Sequence, residues 1–367
     1  MVKSIYIHIP FCDKICSYCD FCKELYNSVL VDKYLLALEK EVVKNYKGEI
    51  FDTIYIGGGT PSSLSLEQLT KLFKITELFK KSSNVEFTIE ANFSNMSYEK
   101  LDLFKKYGIN RLSLGIESTN EKHLKYLNRD LDKNEVKNII DYAKKIGINN
   151  INLDLIYALK NETIDDVKSD LDFILSLDVT HISTYSLIIE ENTVLGIRKE
   201  KNISEDLDLD MYKFICNYLK EHNFIHYEIS NFAKEGYYSR HNQVYWHNLE
   251  YYGFGLGASS YIGNKRCTNT RAIKKYLSGN YLLETEIVDI KRDMEYEIML
   301  NLRLTEGINK AKFSKRFGKN IELCYNYSRL VQDGYLEEDN NYLRIKEEYF
   351  YVSNEIIALI IEGEIDG

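Results

Sequence analysis

Three cysteines near the start of the chain, Cys12, Cys16 and Cys19, follow the spacing C-x₃-C-x₂-C. Closely spaced thiolates of this kind hold iron or zinc. Three thiolates can bind three irons of a cubane [4Fe–4S] cluster, whereas a cluster that mainly carries electrons normally has four protein ligands. The spacing therefore indicates a cluster whose fourth iron is open to a small molecule, which would be activated there.

A structural zinc site is the alternative, because Cys22 follows closely and brings the number of cysteines in this segment to four. Zinc sites of this type usually have a second pair of ligands about 12 to 20 residues later. No pair of Cys or His follows Cys22 at that distance. An alternating apolar run from Ile5 to Ile9 predicts a strand just before the cysteines, which places them on a loop at its end.

Composition and charge exclude several classes of protein. The 367 residues carry 47 basic and 56 acidic side chains, a formal net charge of -9 that argues against a broad nucleic-acid footprint. No apolar run reaches the roughly 18 residues of a membrane span, and Met-Val-Lys leads into a strand rather than a signal peptide. Seven cysteines, an odd number, fit a reducing compartment. We expect a cytoplasmic protein, with peripheral membrane contact left open.

Short β-rich runs alternate with segments of helical period over residues 1–187, which predicts repeated βα units. A closed barrel requires eight such units, so we expect an α/β core that is an open partial (β/α)₆ TIM-like barrel. The six predicted strands are Ser4–Ile9, 53–56, 85–89, 111–114, 151–156 and 181–187.

Two further units are predicted after the core. Residues 188–290 read as an extension of the barrel, with a helix at 206–221 and a strand at 227–230, and we expect it to cover the barrel mouth. Residues 291–367 are predicted to form helices at 294–302, 310–317 and 321–333 and then a hairpin, which resembles a winged helix. The third helix carries only Arg329 as a base, so we favour a packing or partner-contact role over DNA binding.

Polar and glycine residues follow the predicted strands. Gly57, Gly58, Gly59 and Thr60 form a turn whose backbone can approach a ligand closely. Four more polar residues stand at or just beyond strand ends, namely Glu90, Glu117, Arg129 and Asp154. Strand ends of a barrel meet at one mouth, where carboxylates can accept hydrogen bonds from hydroxyl or amino groups and an arginine can pair with a carboxylate. Individually, each could equally be a helix cap or a surface ion pair.

A third segment contains the string His241-Asn242-Gln243-Val244-Tyr245-Trp246. Residues 236–263 hold the only Trp, several Tyr and five Gly, the composition of a shaped loop that offers flat apolar faces and an imidazole. A buried aromatic cluster with a satisfied histidine is the alternative.

Together these motifs resemble the HemN/HemW branch of radical S-adenosylmethionine (SAM) proteins, over nearly the whole chain. The resemblance implies that Cys12, Cys16 and Cys19 hold the cluster. It also implies a set of SAM-binding residues: Tyr6, Tyr18, Gly58, Gly59, Thr60, Glu90, Glu117, Arg129 and Asp154. The chain departs from the branch at Glu117, where Gln is usual, and at Ala158 and Lys160, which replace Gly and Pro.

The branch contains two activities, oxygen-independent coproporphyrinogen III dehydrogenation and haem binding with delivery to acceptor proteins. Three features favour haem handling: only eleven residues precede Cys12, Phe21 stands where the dehydrogenases have Cys, and the H-N-x-x-Y-W string is present. The resemblance then implies that haem is a further cofactor, bound by His241 as axial ligand with Tyr245 and Trp246. A haem- or metal-binding scaffold with a structural cluster is a further alternative.

The expected partners are haem-accepting proteins and an electron donor, both of unknown identity. Cys22 stands one position from the Cys of the dehydrogenases and is not assigned as its equivalent, and a role as fourth cluster ligand in the absence of SAM is left open.

Overall fold

The computed structural model describes residues 2–365, so Met1, Asp366 and Gly367, at the outer ends of the first and third predicted units, lie outside it. Its strands are β1 Ser4–Ile9, β2 Phe11–Cys12, β3 Glu24–Leu25, β4 Ile50–Gly58, β5 Lys80–Asn92, β6 Arg111–Glu117, β7 Asn150–Tyr157, β8 His181–Ser186, β9 Ile225–Glu228, β10 Asn231–Ala233, β11 Tyr252–Phe254, β12 Ser259–Ile262, β13 Lys265–Asn269, β14 Leu282–Ile287, β15 Ile308–Asn309, β16 Leu336–Glu338 and β17 Tyr342–Ile345.

The helices are α1 Ser28–Asn45, α2 Leu66–Thr76, α3 Tyr98–Lys106, α4 Glu121–Leu127, α5 Lys133–Lys145, α6 Ile164–Ser176, α7 Val194–Ile197, α8 Glu205–Glu221, α9 Arg240–Trp246, α10 Ile273–Leu277, α11 Ile290–Asn301, α12 Lys310–Phe317, α13 Ser328–Gln332 and α14 Ser353–Glu362. Short 3₁₀ helices span Pro61–Ser63, Phe93–Asn95, Ile321–Leu323 and Glu347–Val352. None of the helices between residues 2 and 365 combines the length and the apolar character needed to cross a membrane.

The main sheet has nine strands in the order β11-β1-β4-β5-β6-β7-β8-β10-β9. Its six central strands are parallel and adjacent in chain order, as repeated βα units require. They correspond one to one with the six predicted strands, and the predicted partial barrel is confirmed. Strand β11 adds a parallel partner at the β1 edge, while β10 and β9 add antiparallel partners at the β8 edge.

The strands alternate between an apolar face and a polar face. On β6, Leu112, Leu114 and Ile116 are fully buried in the hydrophobic core. Ser113, between them, faces the inside of the barrel, where Asn152 Nδ2 donates to its hydroxyl at 2.8 Å. Because side chains on a strand point to opposite faces in turn, each central strand packs on the helices with one face and lines a polar lumen with the other.

The outer helices bury apolar stripes. In α5, Val136, Ile139, Ile140 and Ala143 recur at steps of three and one, on one face, and are buried. The helix begins after Asp132, whose side chain accepts a hydrogen bond from the backbone N–H of residue 134.

The extension does not lie as one cover over the mouth. Helix α7 does lie there, because the backbone N–H of Leu195 donates to the carbonyl of Ser17 in the cysteine loop at 3.0 Å. Helix α9 lies at the opposite end of the lumen. There, Glu86 on β5 accepts hydrogen bonds from the backbone N–H groups of Arg240 and His241. The expectation that the extension covers the mouth is therefore wrong for α9, which closes the floor of the lumen.

The C-terminal unit contains the predicted helices α11 and α12 and the predicted hairpin β16–β17, joined by β15. The predicted helix over 321–333 is wrong, since a 3₁₀ turn and the short α13 take its place. Asn326 N–H donates to the Gly363 carbonyl at 2.7 Å, and Cys324 accepts from Ile365 N–H at 2.8 Å. These bonds to the C-terminal segment divert the backbone groups that a continuous helix would use.

Candidate cluster and cofactor site

The cysteine loop follows β1 and is held over the barrel mouth. Cys12 is buried in β2, which pairs with β3, and Cys16 and Cys19 are half-buried in the loop between these strands. Ser17 anchors the loop, donating through its hydroxyl to the Tyr126 carbonyl at 2.7 Å and through its N–H to the Leu127 carbonyl at 3.0 Å. The loop therefore presents its thiols at the carboxyl ends of the strands.

The surroundings of the thiols fit an iron-sulfur cluster. Burial, with a smaller contribution from the Cys19 and Cys16 thiols, raises the pKa of the Cys12 thiol to about 11, against a hydrogen bond from Thr60 that lowers it. Thiols brought together in this way need a metal centre to hold them as thiolates. Within residues 2–365, no three Cys, His, Asp or Glu side chains converge on one metal ion. A cubane does not require that arrangement, because each of its thiolates binds a different iron.

The glycine turn lies directly against the cysteine loop. A Cβ added at Gly59 would stand 2.9 Å from Cys12 Sγ, so only glycine fits there. Gly58 has a φ of +120°, a conformation that side chains rarely adopt. Thr60 follows, with its hydroxyl 3.5 Å from Cys12 Sγ. The turn thus brings backbone and one hydroxyl to the edge of the cluster loop.

Glu90 binds the same turn from the next strand. Its Oε2 accepts from Gly58 N–H at 2.9 Å, and its Oε1 accepts from the Tyr55 hydroxyl at 2.8 Å. Burial raises the pKa of Glu90, and the two hydrogen bonds oppose that shift. Sequence reasoning missed Tyr55. The period of two along β4 could have found it, since Tyr55 shares its face with Gly57 at the predicted turn.

Arg129 is paired with Glu117. Arg129 Nη2 lies 2.9 Å from Glu117 Oε1, and both side chains are about nine-tenths buried, with 11% and 9% exposed. The Tyr18 hydroxyl also donates to Glu117 Oε1, at 3.2 Å, and Arg129 Nη1 lies 3.8 Å from Cys16 Sγ. Glu117 stands where the branch usually has Gln. Its carboxylate is paired with Arg129, the arginine that was expected to pair with the carboxylate of SAM.

Two other predicted residues face the lumen below the mouth. Asp154 accepts from Asn152 Nδ2 at 2.8 Å, and burial, with the Glu117 and Glu90 charges, raises its pKa to about 7. The Tyr6 hydroxyl lies 2.9 Å from His8 Nδ1 beneath the cysteine loop. An opening to solvent is lined by residues that include Cys16, Thr60, Asn92, Asn128 and Arg129. The predicted SAM residues thus surround one mouth, and their roles stay predictions.

The predicted haem residues lie elsewhere, at the floor. His241 is 1% exposed, with Nδ1 2.7 Å from Thr53 Oγ1 and Nε2 2.7 Å from Tyr245 Oη. Burial lowers its pKa to about 3, so the ring is neutral. Trp246 is half-buried and packs on Arg303. In this conformation both ring nitrogens of His241 are used, and its role as an axial ligand stays a prediction that requires the segment to open.

Cys22 turns toward the extension. A Cβ added at Gly257 would lie 3.1 Å from Cys22 Sγ, and the Cys22 carbonyl bonds His8 Nε2 at 2.7 Å. Arg271 lowers the pKa of the Cys22 thiol and partly offsets the effect of burial. Its service as a fourth cluster ligand stays a prediction.

Comparison with known proteins defines the class. The radical SAM superfamily model matches residues 6–174, and the HemN C-terminal domain model matches residues 289–348. The fold and the cysteine loop are those of a radical SAM protein, and this class implies a [4Fe–4S] cluster and SAM. Among solved structures, coproporphyrinogen III oxidase (HemN) from Escherichia coli superposes with a TM-score of 0.86 at 22% identity, covering 98% of this chain and 90% of that one.

Curated relatives narrow the class to one family. Heme chaperone HemW of Bacillus subtilis (strain 168) is 36% identical over 99% of this chain and 100% of the relative. Heme chaperone HemW of Lactococcus lactis subsp. lactis is 36% identical over 99% of this chain and 98% of its own length, and that of Escherichia coli (strain K12) 31% over 98% of each. The chain belongs to the HemW family.

Proposed function

We propose that this chain is a haem chaperone, which binds haem and passes it to acceptor proteins while carrying a [4Fe–4S] cluster and SAM. The observation that carries the proposal is the similarity over the full length to relatives named heme chaperone. The H-N-x-x-Y-W string, which favours haem handling, forms helix α9 at the barrel floor.

The residues at the cluster end have separate roles. Cys12, Cys16 and Cys19 hold the cluster, which when bound supplies an electron to SAM at its open iron. The Gly58–Thr60 turn and Glu90 receive the amino group of SAM, and Asp154 accepts from its ribose hydroxyls. Tyr18 and Arg129 form the wall of the site on the side of Cys16.

Tyr55 lies between the haem end and the cluster end of the lumen. Its hydroxyl binds Glu90, which holds Gly58, and its ring stacks on the His241 ring with centroids 5.1 Å apart. A neutral imidazole is the form that ligates iron. Haem binding through His241 therefore requires its bonds to Thr53 and Tyr245 to open, while Tyr245 and Trp246 supply aromatic faces.

Three parallel assays on one anaerobically reconstituted sample test the function. Given haem, the protein should bind it and then lose it to an apo-protein acceptor such as apomyoglobin, followed by the shift of the haem absorbance. Given SAM and a reductant, release of 5′-deoxyadenosine separates SAM chemistry from a purely structural cluster. Absence of haem binding by a sample with full iron content would contradict the proposal.

Oxygen-independent dehydrogenation of coproporphyrinogen III is the second candidate, because HemN shares the fold over almost the whole chain. The third assay gives coproporphyrinogen III, SAM and a reductant to the same sample. We expect no carbon dioxide and no decarboxylated product. Product formation would reverse the ranking of the two functions.

A further inference from the structure

Arg111 lies in the lumen but belongs to neither the predicted cluster site nor the predicted haem site. Arg111, on β6, is 2% exposed, and its Nε has no hydrogen-bond partner. Among residues 2–365, no carboxylate lies within the 4.0 Å of an ion pair with it. A buried guanidinium nitrogen without a hydrogen-bond partner is unfavourable, so Arg111 points to a ligand that binds it.

Two more unpartnered polar atoms flank Arg111. Thr88 on β5 and Asn150 on β7 are its direct neighbours in the sheet register. Thr88 Oγ1 and Asn150 Oδ1 are both buried and lack a hydrogen-bond partner. Because neighbours in register share a face of the sheet, these three side chains, named here the floor triad, meet on the lumen side of three adjacent strands.

Two carboxylates on the neighbouring strand β5 are already hydrogen-bonded to other groups. Both oxygens of Glu90 accept hydrogen bonds, from Tyr55 and Gly58, and both oxygens of Glu86 accept from the backbone of Arg240 and His241. Arg111 acts electrostatically on the lumen. Burial raises the pKa of Glu90 and the Arg111 charge opposes that rise, whereas burial lowers the pKa of His241 and the Arg111 charge adds to that fall. The floor triad therefore has a positive charge that no neighbouring side chain neutralises by direct contact.

We propose that the floor triad of Thr88, Arg111 and Asn150 binds a carboxylate. A guanidinium forms two parallel hydrogen bonds with a carboxylate. A hydroxyl can donate a further bond, and so can the side-chain amide of Asn150 once it is turned. Arg111 precedes Gly115 by four residues, about 13 Å along the strand, and Gly115 pairs with Asp154. The carboxylate would thus lie below Asp154, in the same lumen.

Two sources can supply this carboxylate, a small organic acid or a propionate side chain of haem, and the second rests on the proposed function. The lumen wall toward the mouth includes Tyr6 and Tyr55, which are partly exposed, and Tyr185, which is 43% exposed. These rings offer an apolar path for the body of a ligand whose acid group sits on Arg111.

Acetate tests the small-acid source. We compare the thermal unfolding midpoint of the wild-type chain and of Arg111→Met in sodium acetate and in sodium chloride at equal ionic strength. Acetate should raise the wild-type midpoint by several degrees relative to chloride and leave Arg111→Met unchanged. Arg111→Lys, which keeps the charge, should retain part of the shift, and Arg344→Met on the C-terminal hairpin should retain all of it.

Haem and its dimethyl ester test the propionate source. If a propionate occupies the floor triad, wild-type protein should bind haem at least tenfold more tightly than the ester, and Arg111→Met should bind both alike. A difference in either arm supports the site and identifies the source. Equal acetate and chloride midpoints together with equal haem and ester affinities in the wild-type chain would overturn the proposal. If wild-type protein binds neither haem nor ester, the proposed function fails, and the acetate arm alone decides the floor triad.

Discussion

The two ends of the barrel lumen differ in how ready they are for a ligand. At the mouth, Gly58, Thr60 and the thiols meet beside an opening to solvent, and their geometry comes from strand ends and tight turns. At the floor, His241 is sealed, with both nitrogens bonded. The residues at the mouth therefore border solvent directly, whereas haem ligation by His241 at the floor would first have to break hydrogen bonds.

The largest effect that separates the two ends is expected from Cys16→Ala. This change removes one of three cluster ligands, so iron and sulfide should fall to background. Haem binding should stay within about twofold of wild type, because α9 lies at the other end of the lumen. Iron analysis and haem titration on the same sample measure both, and Cys216→Ala on α8 serves as the control. Loss of haem binding in a folded Cys16→Ala protein would mean that the two sites are one.

At the floor, Tyr245→Phe tests whether the hydrogen bond from Tyr245 to His241 must open before haem binds. The change removes the hydroxyl bonded to His241 Nε2 and frees one ring nitrogen while keeping the ring. If that bond must open for haem to bind, affinity should rise by about tenfold, the worth of one hydrogen bond. Haem titration by absorbance measures it, with Tyr238→Phe as the control. A fall in affinity would instead indicate that the Tyr245 hydroxyl contacts haem.

At the mouth, Glu117→Gln tests whether the ion pair between Glu117 and Arg129 competes with SAM. Gln restores the residue usual in the branch and keeps an acceptor for Tyr18, but it releases Arg129 from a buried ion pair. SAM should then bind about fivefold more tightly, because its carboxylate no longer competes with Glu117. Equilibrium dialysis with labelled SAM measures the change, and the exposed Glu121→Gln is the matched control. Weaker binding would show that the Glu117 charge itself serves SAM.

A smaller effect is expected from pH. The pKa of Asp154 is raised to about 7, chiefly by burial and then by Glu117 and Glu90 on the neighbouring strands. Its carboxyl group therefore keeps a proton at pH 6 and loses it by pH 8, and the ionised form is the stronger hydrogen-bond acceptor for the ribose hydroxyls. SAM affinity should rise about threefold over this range, and Asp154→Asn should abolish the rise. An unchanged pH dependence in Asp154→Asn would remove Asp154 from the ribose site.

The sequence predicted what depends on local pattern. Alternating apolar residues located the six central strands, and segments of helical period showed that helices alternate with them. Gly58 and Gly59 could be placed beside the thiols because a glycine turn after a strand end faces the mouth. These features follow from the period of the chain and from the parallel sheet.

What could not be predicted depends on contacts between distant segments. Helix α9 lies at the floor because its backbone donors meet Glu86, 154 residues away from Arg240. The helix predicted over 321–333 is broken because Cys324 and Asn326 bond the C-terminal segment. Glu117 was noted as a departure, but its pairing with Arg129 depends on the left-handed backbone at Glu117, with a φ of 61°. No local pattern contains these partners.

The most direct test of the account is a haem titration of the anaerobically reconstituted chain and of two single variants, His241→Ala and His247→Ala. His247 is the matched control, because it stands in the same segment, is more exposed, and lies 3.5 Å from Glu306. The wild-type chain and His247→Ala should bind haem with the same absorbance spectrum, and His241→Ala should lose the haem absorbance band that depends on the axial ligand. Full retention of that band in His241→Ala would contradict the account.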